Sequence, residues 1–581
     1  MPYKSLLFLA FISCLFSCKN ESPKPPNVLL ILTDDQGWGD MQSHGNPFIE
    51  TPTLNQLAAE GAEFERFYVS PLCAPSRASI LTGRYHLKTG VTSVSNGLEI
   101  MDEGESTLAE LFKSNGYSTG IFGKWHNGSH HPNRPTDQGF DEFIGFCAGH
   151  WSNYFNTTLD SADSQIKSSG FITDFLTAKA IDFMQRKKDK PFFCYVPFNA
   201  PHSPFQVPDK YFNKYKEKGL DDRNAAVYGL VENVDDNIAK LLQSLEDNGL
   251  SQNTIVIFLT DNGPNGERYN GEMKGIKGHV DEGGVRVPCI FRWPGHIPAE
   301  RKIDGLAAHI DLYPTLSSLC GLNPIATRPI DGIDLAQVLV EEKEIPERTL
   351  FSHVAFLDKV LHNKPGALRT LQYRFVLKKD KPELYDMQHD PSQKQDISGD
   401  KQDLTRQFLD VYNTWFNENS GYFEATKPIR LDFDHVALPS YESQFKGNIR
   451  FEEGHGWAHD WLINWSGSQD EIQWLVESKQ TTQRKAAIQF TCNSASIGSE
   501  IVLKIDGETV CKASVTQAVD FGFLDSPDRI PRKEAYEKSA WGKLDLGNFT
   551  ISPGIHTISL SSPKPKVAQE IALKSLLIQK P

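Results

Sequence analysis

Residues 27–35 read Asn27-Val28-Leu29-Leu30-Ile31-Leu32-Thr33-Asp34-Asp35, and residues 254–263 read Thr254-Ile255-Val256-Ile257-Phe258-Leu259-Thr260-Asp261-Asn262-Gly263. Each is a short apolar run closed by a threonine and then by oxygen-bearing side chains. Such runs read as buried strands, because they are continuous and stop well before helical length. Tyr117–Phe122 and Pro191–Phe198 have the same texture. Between them lie amphipathic stretches such as Ala225–Leu245, with Val227, Leu230, Val231, Val234, Ile238, Leu241 and Leu242 near helical spacing. Strands alternating with helices predict an α/β domain over residues 27–425, built on a large, mainly parallel sheet.

From about residue 430 the pattern changes. Ile472–Val476, Ala487–Thr491, Ile501–Ile505, Ile555–Leu560 and Ile571–Ile578 are short alternating runs, and Asp506-Gly507 and Pro553-Gly554 are turn signals between such runs. Residues 430–581 are therefore expected to form a C-terminal all-β sandwich. Its Trp457, Trp461, Trp465 and Trp474 are read as core, with a glycan platform as the alternative. Residues 548–561 resemble the penultimate strands of carbohydrate-binding jelly rolls, while a packing module that steadies the first domain is an equal contender.

The chain has 581 residues, 39% hydrophobic and 23% charged, enough for two folded domains. A net charge of −14 argues against nucleic acid as a partner, since phosphate binding needs a basic surface. At the N-terminus, Lys4 precedes the apolar run Leu6–Phe16, which is too short for a stable membrane helix. The run ends Leu15-Phe16-Ser17-Cys18, similar to a bacterial lipobox. Residues 1–18 are thus expected to be a lipoprotein-type signal, with Cys18 lipidated, and residues 19–26 a stiff polar tether. The expected location is the periplasm or the outer-membrane surface, with membrane contact only through the lipid. Nine cysteines show no zinc spacing, and Cys492 and Cys511 are open to pairing.

In open parallel sheets, ligands bind at the carboxyl ends of the strands. If the two opening strands are neighbours, Asp34, Asp35, Asp261 and Asn262 meet there. Like charges so close repel unless a cation lies among them, and hard oxygen donors suit calcium or magnesium. Asp as a helix N-cap is the competing explanation at either site alone. The other two strands lead into Gly123-Lys124-Trp125-His126 and Asn199-Ala200-Pro201-His202, bringing a lysine and two histidines to the same edge. Residues 71–84, Pro-Leu-Cys-Ala-Pro-Ser-Arg-Ala-Ser-Ile-Leu-Thr-Gly-Arg, predict a helix with Pro75 in its first turn and Gly83 at its end. Cys73 then lies at the helix N-terminus, where partial positive charge favours an anionic oxygen or sulfur. As a bare thiol it would be a redox or acyl-transfer nucleophile, or simply a packed cysteine.

Cys73-x-Pro75-x-Arg77, followed by Leu81-Thr82-Gly83-Arg84, resembles the signature of the sulfatase family of the alkaline phosphatase superfamily. The likeness extends through Asp34-Asp35, Gly123-Lys124-Trp125-His126, Gly139-Phe140-Asp141, Pro201-His202 and Asp261-Asn262-Gly263. It continues in Lys277, residues 282–288, residues 310–315 and Leu384-Tyr385-Asp386. It implies an alkaline-phosphatase-like fold, a large mixed sheet sandwiched by helices, and hydrolysis of sulfate esters. It also implies that a separate maturation enzyme oxidises Cys73 to formylglycine. The hydrated aldehyde attacks sulfur with one hydroxyl and expels sulfate with the other. By the same resemblance, Asp34, Asp35, Asp261, Asn262 and residue 73 hold one calcium ion. Arg77 orients the nucleophile, Lys124 and Lys277 bind sulfate, His126 handles the diol proton, and His202 protonates the leaving oxygen. Asn127 stands where the family often has leucine, and is expected beside the pocket.

His130, His131 and Arg134, with His150 and Trp151 downstream, are candidate contacts for an anionic sugar, by charge pairing and stacking. An ordinary structured loop explains them equally well. The expected substrate is a sulfated oligo- or polysaccharide. Three alternatives remain at this level: a phosphonate or phosphodiester monoester hydrolase of the same superfamily, a non-catalytic surface glycan-binding protein, and a thiol enzyme that uses Cys73 unmodified.

Overall fold

The structure is a computed structural model and describes residues 24–357, 360–532, 536–563 and 569–581. The expected signal with Cys14 and Cys18, and residues 19–23 of the tether, lie outside the described residues. Among the described residues no helix is long and apolar enough to cross a membrane.

Residues 27–33 form a strand at the heart of a ten-stranded sheet. The order is Arg301–Ile303, Ala62–Phe64, Cys289–Arg292, Thr254–Thr260, Asn27–Thr33, Phe192–Pro197, Ser118–Lys124, Glu142–Phe146, Thr158–Ser161, Ser164–Lys167. From Thr254–Thr260 to Glu142–Phe146 every neighbour is parallel. Cys289–Arg292 pairs antiparallel on one side and the hairpin Thr158–Lys167 on the other, so the sheet is mixed and mainly parallel. The four strands legible in the sequence are thus four consecutive neighbours.

Alternation along Asn27–Thr33 feeds two cores. Val28, Leu30 and Leu32 face a cluster with Ala74, Ile80 and Leu81, while Leu29 and Ile31 face one with Leu176, Val227 and Leu230. Helices cover both faces, as a sheet apolar on both sides requires. Burying each Leu or Ile side chain contributes roughly 1.5–3 kcal/mol. The helix Asp222–Asp247 supplies the long apolar stripe; the Asp221 carboxylate accepts from the Asn224 N–H at 3.0 Å and caps it.

One element was not legible in the alternating pattern. Leu350–His353, Gly366–Arg369, Tyr373–Lys378 and Lys381–Asp386 form a separate four-stranded antiparallel sheet, and the helix Gln402–Asn419 packs against it. It is joined to the main domain by the buried Glu282, which accepts from the Arg374 guanidinium at 2.8 and 3.0 Å and from the Tyr68 hydroxyl at 2.8 Å.

From Ile429 onward the chain forms two six-stranded, largely antiparallel sheets around one core. Trp461, Trp465 and Trp474 are buried, and the Trp474 indole donates to the Pro439 carbonyl at 2.8 Å. Trp457 is half-buried and stacks on His455. Cys492 and Cys511 do not pair; all seven described cysteines are buried free thiols.

Candidate active site

Register explains why the acidic residues meet. Thr33 pairs with Thr260 across parallel strands, so Asp34 and Asp261 leave the sheet side by side, and the Asp261 N–H donates to the Thr33 carbonyl at 3.1 Å. Asp35 has φ +67°, a left-handed conformation that Asp tolerates through its short polar side chain. That turn brings its N–H to Asp261 Oδ1 at 3.2 Å. Asn262 Nδ2 donates to Asp35 Oδ1 and to the Gly263 carbonyl, both at 2.9 Å.

The helix Cys73–Thr82 runs under this edge with every residue buried, and Gly83, at φ +70°, ends it by donating to the Ser79 carbonyl at 2.9 Å. Cys73 Sγ and carboxylate oxygens of Asp34 and Asp261 all lie within 4.8 Å of one another. The Arg77 guanidinium grips Asp261 Oδ2 at 2.8 and 3.0 Å and donates to the Lys124 carbonyl at 2.9 Å. Lys124 Nζ donates to Asp34 Oδ2 at 2.6 Å, and Lys277 Nζ pairs with Asp35 Oδ1 at 2.6 Å. Three carboxylates and three cations therefore interlock around residue 73.

The charge of the cluster is uneven. Burial, then Lys124, governs Asp34, whose carboxyl is held below its ordinary range. Burial opposed chiefly by Lys277 does the same at Asp35. Asp261 moves the other way, to about 7, because burial and the neighbouring Asp34 outweigh Arg77. The helix N-terminus does not activate the Cys73 thiol as the sequence position suggested. Burial pushes its pKa up, with Asp34 and Asp261 adding to the effect against Lys124 and Lys277. A bare thiol here is a poor nucleophile.

Two histidines face the cluster with opposite nitrogens engaged. His126, at φ +64°, donates through Nε2 to the Val94 carbonyl at 2.9 Å, and its buried Nδ1 has no partner among the described residues. Burial, then Lys124, keeps it neutral. Gly149 permits this packing, since a Cβ there would lie 2.2 Å from His126 Nε2. His202 donates through Nδ1 to the Ser203 carbonyl at 2.6 Å, leaving Nε2 3.7 Å from Asp35 Oδ2. Burial, then Lys277, lowers its pKa.

The donor set fits a hard cation. Among the described residues Asp34 Oδ1 and Asn262 Oδ1 are buried oxygens without a hydrogen-bond partner, beside two further carboxylates. Such orphaned acceptors are costly unless something positive satisfies them. All-oxygen donors of this kind suit calcium or magnesium.

The other expected contacts are distributed differently. His130 pairs with Glu442 at 2.9 Å, His131 with Asp137 at 2.7 Å and Asp163 at 3.0 Å, and Arg134 with the Ala162 carbonyl at 2.6 Å. These three basic groups are occupied by protein partners. His150 does reach the site, its ring 6.4 Å from that of His202, and Trp151 stacks on Phe146. Asn127 lies beside the cluster, next to His126 and the Cys73 helix. It is fully buried and donates to the Ala74 carbonyl at 3.1 Å, bracing the start of the Cys73 helix. Asn265 was missed by sequence reasoning although it follows Asp261-Asn262-Gly263 closely; its Nδ2 donates to Asp35 Oδ2 at 3.1 Å.

The sulfatase family model matches residues 26–322, more than half of the chain and all of the cluster just described. The chain belongs to the sulfatase family. A second model, described as the C-terminal part of N-sulphoglucosamine sulphohydrolase, matches residues 276–410 of this sulfatase. N-acetylgalactosamine-6-sulfatase of Mus musculus is 34% identical over 379 residues, 59% of this chain and 71% of that protein. Arylsulfatase A of Homo sapiens is 34% identical over 391 residues, 60% of this chain and 74% of that one. A solved structure of Ps i-CgsB in complex with k-i-k-neocarrahexaose is 29% identical, with a TM-score of 0.64, covering 69% of this chain and 95% of that one. The sulfatase is a sulfuric ester hydrolase by this kinship. Neither family model reaches its C-terminal sandwich.

Proposed function

We propose that this sulfatase removes sulfate from a sulfated oligo- or polysaccharide, using Cys73 oxidised to formylglycine by a separate maturation enzyme. In the same reading Asp34, Asp35, Asp261, Asn262 and residue 73 hold one calcium ion. The observation that carries it is the interlocked group of three carboxylates and three cations closing on residue 73. The carbohydrate part rests on relatives named N-acetylgalactosamine-6-sulfatase and on the k-i-k-neocarrahexaose bound to Ps i-CgsB.

Calcium would polarise the sulfate oxygens and lower the pKa of the nucleophile. The hydrated aldehyde would offer one hydroxyl to sulfur and a second to release sulfate, which a thiol lacks. Arg77, locked to Asp261, holds the nucleophile's surroundings in place. Lys124 and Lys277 offset the charge of the sulfate. His126 accepts a proton at its open Nδ1, and His202, fixed through Nδ1, delivers one to the leaving sugar oxygen from Nε2.

The test is initial rates on matched aryl sulfate and aryl phosphonate, and sulfate release from sulfated oligosaccharides of known linkage. Protein matured in a competent host is expected to turn over the sulfate faster and to desulfate at least one oligosaccharide. Faster phosphonate turnover would establish the rival hydrolase, and glycan binding without sulfate release would establish a binding protein.

We further propose export as a Cys18-anchored lipoprotein, on the strength of Lys4, the apolar run Leu6–Phe16 and the Leu15-Phe16-Ser17-Cys18 motif. Metabolic palmitate labelling of the wild type, lost in Cys18→Ala, is the expected result. A fully soluble, unlabelled wild type contradicts it.

A further inference from the structure

The C-terminal sandwich reaches the catalytic edge. His459, at φ +74°, donates through Nε2 to the His150 carbonyl at 3.0 Å, sets its ring edge-on to Trp151 at 4.8 Å, and lies 5.5 Å from the His150 ring. His202, His150 and His459 thus form a row leading from the proposed proton donor into a cavity of about 1100 Å³ between the two domains. One wall is the edge hairpin Thr158–Lys167 of the large sheet. The other is the outer face of the sandwich, including Gln489, Lys574 and Leu577.

Lys574 is unusual on that wall. Gln489 pairs with Ser575 and Phe490 with Leu573, so Lys574 is the extra residue of a β-bulge in the strand Ile571–Gln579. Bulges re-aim a side chain at the cost of a ladder pairing. Its ammonium lies 5.5 Å over the Trp541 ring and 3.9 Å from Glu537 Oε1, longer than a direct hydrogen bond. The other Glu537 oxygen accepts from Asn153 at 3.2 Å. Burial lowers the Lys574 pKa against the pull of Glu537. His130, His131 and Arg134 on the same cavity have close protein partners. A part-buried ammonium on the cavity wall, with no acceptor within direct hydrogen-bond distance among the described residues, is a donor that an anionic group in the cavity can use.

We propose that this interdomain cavity is a remote substrate subsite, in which Lys574 of the sandwich holds a sulfate or carboxylate on a sugar adjoining the one that is desulfated. The inference rests on the carbohydrate-sulfatase reading above and adds that the sandwich is a specificity element of the active site.

The test compares wild type, Lys574→Met and Lys574→Arg on 4-nitrocatechol sulfate and on hexasaccharides from carrageenan and chondroitin sulfate. The first hexasaccharide carries sulfate alone and the second sulfate and carboxylate. Lys574→Met is expected to lower kcat/KM on the favoured hexasaccharide about tenfold, mainly through KM, as for one lost charge-assisted contact. Turnover of the aryl sulfate should stay unchanged, and Lys574→Arg should restore most of the loss. A parallel measurement follows hexasaccharide binding to Cys73→Ala protein, with and without Lys574→Met. Equal losses on both substrate types, no loss on any hexasaccharide, or binding indifferent to Lys574 overturns the subsite. Lys574-dependent binding with no sulfate release from the wild type would instead overturn the activity and leave the subsite standing.

Discussion

Replacing Cys73 with alanine is expected to reduce sulfate release by roughly 10⁴-fold or more, with the fold intact. The residue is the first of a wholly buried helix and shares a 4.8 Å circle with Asp34 and Asp261. Losing a buried sulfur should cost only about 1 kcal/mol of stability, so activity and folding separate cleanly. The thiol itself is disarmed by burial and the adjacent carboxylates, so an unmodified Cys73 does not account for turnover. Active wild type should therefore react with a hydrazide probe at residue 73 and resist iodoacetamide. The decisive measurements are initial rates beside thermal melting, with mass analysis of the peptide that holds Cys73. Activity carried by an unoxidised, alkylation-sensitive thiol would replace the sulfatase chemistry with that of a thiol enzyme.

Calcium should bind the chelator-treated protein more tightly at pH 8 than at pH 6, by up to about tenfold per unit below pH 7. The sign follows from Asp261. Burial and Asp34 hold its carboxyl up to about 7, so below that pH the cluster keeps a proton that the ion must expel. Above it the carboxylate is already ionised and the dependence flattens. Asp34 and Asp35 are pushed the other way and stay ionised throughout this window. Calcium at a thousandfold excess over Kd would add about 4 kcal/mol to stability, seen as a rise in Tm. Asp35→Asn should weaken the affinity while preserving the backbone, because asparagine also accepts the φ of +67° found there. Calorimetry in buffers of differing ionisation heat reads both affinity and proton release. Affinity that is level from pH 6 to 8 with no proton released would show that Asp261 is already ionised or does not take part.

The sandwich packs against the loops that carry His150 and His202. Besides His459, Ser95 donates to the Gly456 carbonyl at 2.8 Å, Gln206 to Asp528 at 2.8 Å, and Arg532 to the Ser152 carbonyl at 2.8 Å. These contacts dock it against the loops around the catalytic edge.

Much of this was legible in local chain chemistry. Apolar runs at 27–32 and 254–259 announce buried strands because hydrophobic length and period report burial directly. Thr-Asp at the ends of both runs, Pro75 and Gly83 around the Cys73 helix, and the lysine and histidines after two further strands are likewise local signals. The change of texture near residue 430 marks the start of an all-β region for the same reason. The tertiary structure alone decided that these strands are four adjacent neighbours and that Thr33 faces Thr260, which puts Asp34 beside Asp261. It also carried Lys277 out of a glycine-rich loop onto Asp35, paired His130, His131 and Arg134 with acids, raised the Cys73 thiol by burial, and brought His459 in from the far domain. Local pattern reports what a segment does by itself, whereas strand order, ion-pair partners and desolvation arise mostly from contacts between segments tens to hundreds of residues apart, which no short window of sequence encodes.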